Sequence, residues 1–91
     1  MIVTIKKKKI ELRYTLRAMM MFENVASKTF SPEGITDIMT FFYCIVLCSG
    51  KDYSLSFDDF IDYLDDNPEK LTEFSEWLTQ VITNENYLKK N

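Results

Sequence analysis

The chain has 91 residues, 46 % of them apolar, with seven Phe, five Tyr, five Met and one Trp but only two Gly and two Pro. That composition excludes a linker or a disordered tail and describes one ordered, helix-rich domain, near the lower size limit for folding without disulfides, a metal or a partner. The net charge of -3 is unevenly divided, with +4 on residues 1–51 and -7 on residues 52–91, and the acidic half argues against a chain that wraps nucleic acid.

Residues 2–5 and 10–12 flank Lys6, Lys7, Lys8 and Lys9 and have the period of two short strands. With Lys7 and Lys8 as a two-residue turn, Ile5 faces Ile10, Val3 faces Leu12, and all four share one side of a hairpin. Lysine is poorly suited to the positive φ angles of so tight a turn, so a longer loop is the alternative. The four cations could contact phosphates, but they lack the interleaved aromatics or recognition helix that nucleic acid would require. Exposed lysines also guard strand edges against pairing with other chains, and no nucleic-acid partner is expected.

At Tyr14 the period changes, and from Thr15 the chain reads as a Met-rich helix. On a 100° wheel Ala18, Met19, Phe22, Val25 and Ala26 form one stripe, while Leu16 and Met20 lie roughly opposite, with Glu23 and Ser27 nearby. This helix therefore has two apolar sides. Either the hairpin and the helical core cover one each, or one side is a partner surface.

Ser31-Pro32-Glu33 combines a Ser N-cap, a Pro at the first helical position and an acid near the positive end of the dipole. It predicts a second helix running to about Cys48 and stopping at Ser49-Gly50. Residues 41–47 are apolar all round, as in a helix surrounded by the others. Cys44 and Cys48 are one turn apart on it, where a disulfide is geometrically poor, and without His or a second Cys pair they cannot complete a zinc site. They are expected to be buried thiols in a reducing compartment. The apolar run over residues 38–47 is about half a bilayer span and no signal peptide opens the chain, so the expectation is a soluble cytoplasmic protein with no membrane partner.

Ser56-Phe57-Asp58-Asp59 resembles a capping box and opens a third helix with Phe57, Phe60, Ile61 and Leu64 on one stripe. Asn67-Pro68-Glu69 starts a fourth, in which Leu71, Phe74, Leu78, Val81 and Ile82 form a narrow stripe with Trp77 at its edge. Residues 85–91 have no clear period and are expected to fray. The predicted class is mainly α with a short N-terminal β-hairpin (α+β). Residues 1–14 form the hairpin, and residues 15–84 a compact bundle of about four helices around a central apolar helix, in a single domain.

No chemistry-bearing constellation emerges. The chain has no His, neither cysteine has a basic neighbour in sequence, and the carboxylates between Asp58 and Glu76 lie mainly opposite the apolar stripes. An EF-hand frame ending at Asp59 would place Cys48 and Gly50 at two ligand positions, and one starting at Asp62 would place Leu64 at another. Both frames fail, so no enzyme activity, cofactor or metal is expected. What stands out is a surplus of apolar side chains, Leu16, Met20, Met21, Phe41 and Tyr43, beyond what one-sided burial requires. Met-rich surfaces adapt to varied partners, and the surplus points to protein binding.

The hairpin, the aromatic Tyr14, the run Thr15-Leu16-Arg17-Ala18 leading to Phe22-Glu23, the exit Lys28-Thr29-Phe30, the segment Phe41-Phe42-Tyr43-Cys44 and the segment Ser56-Phe57-Asp58-Asp59-Phe60-Ile61 together resemble the small tail assembly chaperones of long-tailed bacteriophages and prophages. The lysine run departs from the Asn-Gly or Gly-Lys turn expected there. The resemblance implies a non-enzymatic protein of the bacterial host cytoplasm that binds the tape-measure protein and keeps its hydrophobic helices soluble until tail-tube subunits polymerise around it. It also implies a longer form made by programmed frameshifting, for which codons encoding Lys89-Lys90-Asn91 would have to be A-rich. On this reading Leu16, Met20 and Met21, or Phe41 and Tyr43, supply a partner-binding surface or one for self-association into a homo-oligomer. A second reading is a small acidic regulatory or inhibitory protein whose third and fourth helices bind a basic protein target.

Overall fold

The lysine run closes the hairpin with a two-residue turn one position earlier than the pairing of apolar residues alone would select. In a computed structural model, which describes residues 1–51 and 54–90 and side chains as far as residue 83, strands β1 (Ile2–Ile5) and β2 (Lys8–Glu11) pair antiparallel. The register sets Val3 against Ile10 and Ile5 against Lys8, so the turn residues are Lys6 and Lys7. Both are left-handed, with φ of 51° and 66°, as in a type I′ turn, whose twist matches that of paired strands. The pairing lies two residues from the predicted one. Because side chains alternate with period two, an even shift preserves the faces, and Val3, Ile5, Ile10 and Leu12 are all buried together.

Four helices follow: α1 (Leu16–Ala26), α2 (Gly34–Gly50), α3 (Phe57–Asp66) and α4 (Glu69–Lys90). The α+β class and the bundle around an apolar helix are those the sequence predicts. Thr15 caps α1, its hydroxyl accepting the Ala18 N–H at 3.1 Å. Ser56 caps α3 in the same way, from the Asp59 N–H at 3.1 Å. The start of α2 differs from the predicted Ser31 cap. Glu33 is the extended N-cap, Gly34 follows at φ 75°, and the Asp37 carboxylate reaches back to accept the Glu33 N–H at 2.9 Å. A carboxylate one turn inside the helix satisfies the terminal donor that the Ser31 side chain was expected to satisfy.

At its other end α2 runs through Gly50, and Lys51 takes the left-handed cap at φ 55°, donating its N–H to the Leu47 carbonyl. Gly50 stays helical beneath the hairpin, where a Cβ would stand 3.4 Å from Ile10 Cδ1. The Arg13 N–H donates to Ser49 Oγ at 2.8 Å and ties the hairpin exit to this helix end. The frayed tail expected over residues 85–91 falls where only the backbone of 85–90 is described, and that backbone is helical to Lys90.

Helix α2 is the core around which the rest is laid. Residues 40–48 are buried except for half-buried Tyr43. Phe42 stacks on Phe74 of α4 with centroids 4.2 Å apart and meets Phe60 of α3 edge-on at 5.1 Å. Phe41 meets Phe22 of α1 at 5.9 Å and Phe30 of the connecting loop at 4.8 Å. Each such pair contributes about 0.5–1.5 kcal/mol beyond the area it buries. Phe74 and Leu78 of the α4 stripe are buried, with Leu71, Trp77 and Ile82 packed against the same cluster.

Candidate partner-binding face

The outward side of α1 is built by what its inward side is obliged to do. Ala18 and Phe22 are fully buried, and the Tyr14 hydroxyl contacts Met19 Sδ at 3.9 Å while its ring meets Phe41 edge-on at 6.2 Å. With these residues held against α2, the 3.6-residue period turns Leu16 and Met20 away from the core. They stand one turn apart and are 74 % and 65 % exposed, more than any other large apolar side chains among the described residues. Arg17, Met20, Met21 and Asn24 line an open groove of about 440 Å³ on this helix.

The exit from α1 is pinned, so the face keeps its orientation. Ser27 turns the chain at φ 56°, and the Glu23 carboxylate accepts the Phe30 N–H at 2.7 Å. Lys28 then pairs with Asp37 at 2.6 Å, joining the loop to the first turn of α2. The hydrogen bond from Lys28, followed by that from the Glu33 N–H, holds the Asp37 carboxyl below the usual range, and the same bond raises Lys28.

Of the five predicted site residues, the structure brings three together. Leu16 and Met20 are exposed and Met21 is half-buried beside them. Phe41 is a correction: it has no exposed surface, because the all-apolar part of α2 is enclosed by α1, α4 and the loop carrying Phe30. Tyr43 is half-buried, its hydroxyl donating to the Leu55 carbonyl at 2.6 Å and its ring against Phe57 and Phe60. The aromatic surplus on α2 is thus spent on packing. Val25, on the same wheel stripe as Ala18 and Phe22, is 57 % exposed while those two are buried. Arg17 and Asn24 were missed, although their spacing of -3 and +4 from Met20 puts them on its face.

The other reactive groups are quiet. Burial pushes the Cys44 thiol up to about 12, with a smaller contribution from Cys48, so it stays protonated at neutral pH. Among the described residues no group of three or more His, Cys, Asp or Glu is placed to hold a metal ion, and no helix is long and apolar enough to cross a membrane. No protein-family model, no curated protein and no solved structure matches the chain.

Proposed function

We propose that this protein is a non-enzymatic tail assembly chaperone that binds a tape-measure protein through the outer face of α1 and keeps it soluble during tail assembly. The observation that carries the reading is the exposed Leu16 and Met20 pair on a helix whose Ala18 and Phe22 are buried in the core. The motif resemblance supplies the partner's identity. A chaperone for long apolar helices needs exposed, adaptable apolar side chains on a folded body, and methionine suits that task because its unbranched thioether repacks at little cost.

The test is co-expression with the tape-measure protein of the same gene neighbourhood, followed by capture at low and at high salt. Capture that persists at high salt and is lost in Met20→Glu supports the reading. Equal capture by wild type and Met20→Glu contradicts it. Phe41 is unsuitable as a probe, since a charge there would unfold the chain. The competing acidic-decoy reading draws on Asp58, Asp62, Asp65 and Asp66, all exposed on α3. Binding of that kind weakens steeply with salt, which separates the two.

A further inference from the structure

The exposed ridge of α1 is bordered by cations of a particular kind. The chain contains only two arginines, Arg13 three residues before the start of α1 and Arg17 in its first turn, and both are exposed. Lys6, Lys28 and Lys70 each pair with a carboxylate of the chain itself, whereas neither arginine forms a salt bridge among the described residues. Arginine is the cation best shaped to hold a carboxylate through two parallel hydrogen bonds. Glu23, the one acid of α1, already accepts the Phe30 N–H. The groove is lined by Met20 and Met21 with Asn24, and Arg17 is the one charged residue among its lining.

We infer that this groove takes an amphipathic helix whose apolar stripe is flanked by Asp or Glu, with Arg17 selecting the acid and Leu16, Met20 and Met21 receiving the stripe. The inference rests on the chaperone reading and adds the chemistry of the segment bound. Charge complementarity favours an acidic occupant, and a lysine-flanked helix would set like charges together.

Two labelled peptides of about 20 residues, with the same Leu and Met stripe but flanked by Glu in one and Lys in the other, provide the probe for titration with the full chain. The Glu-flanked peptide is expected to bind at least about tenfold more tightly, with Arg17→Gln erasing the preference and Arg17→Glu reversing it. Met20→Glu is expected to weaken both peptides, while Lys7→Glu with Lys9→Glu leaves the preference intact. Circular dichroism confirms that these surface variants remain folded. Equal affinities, a preference that survives Arg17→Glu, or one that disappears with the hairpin lysines would overturn the inference, as would a dimer in sedimentation that the peptide fails to displace. Peptide selectivity without capture of the tape-measure protein supports this inference while removing the chaperone reading. Capture without selectivity does the opposite.

Discussion

Lys6 and Lys7 both occupy the left-handed region where a side chain is penalised, in a turn that favours Asn-Gly. Lys6 also reaches Asp59 at 2.6 Å and so connects the turn to the start of α3, leaving Lys7 as the cleaner probe of the strain. Lys7→Gly is expected to stabilise the fold by about 1 kcal/mol, seen as a higher urea midpoint with an unchanged slope. Asp37 gives a pH prediction. Its pKa is depressed in the folded chain, so the stability it contributes is present above the ordinary carboxylate range and is lost as pH falls through the folded value. For Lys28, raised by the same bond, stability is present below the ordinary ammonium range and lost as pH rises through its folded value. Urea midpoints of wild type and Asp37→Asn should therefore differ at neutral pH and draw together as pH falls below the ordinary carboxylate range.

Among the elements, α1 and α2 show how far periodicity can be read. Ala18 and Phe22 on the inner stripe, Leu16 and Met20 opposite, and the apolar girdle of α2 all follow from side-chain spacing, and the structure places them accordingly. Phe41 could not be assigned that way, because in a helix apolar on every side spacing does not distinguish a residue facing a neighbour from one facing water. Its burial depends on Phe30 arriving from a loop and Phe74 from α4, contacts remote in sequence. The start of α2 was misread for a related reason. Ser31 and Pro32 carry the local signature, but Asp37 supplies the bond, held in place by Lys28 from the preceding loop. Phe41→Ala is expected to cost about 3–5 kcal/mol, a large share of the roughly 5–15 kcal/mol by which domains are stable, while Met20→Ala should stay within about 0.5 kcal/mol. Denaturant titration of the two variants checks the division between core and surface.

At the scale of the molecule, one helix is surrounded and the other elements each cover part of it; of the large apolar side chains left exposed among the described residues, Leu16, Met20 and Val25 lie on α1 and Ile35 at the start of the core helix. Of these the proposed chaperone uses Leu16 and Met20. Its partner contacts a rigid face whose orientation is set by Glu23, Lys28 and Asp37, and the core aromatics serve the fold instead of the partner. The chain carries its own reporters, five methionines of which Met20 lies exposed, Met21 half-buried at the groove, and Met39 packed against the core. The measurement to make is methyl NMR of the methionine-labelled chain, titrated with a soluble segment of the tape-measure protein. The account predicts that the Met20 and Met21 methyl resonances shift or broaden with the titration while Met39 holds its position. Binding that leaves Met20 and Met21 unmoved, or no binding at all, would contradict it.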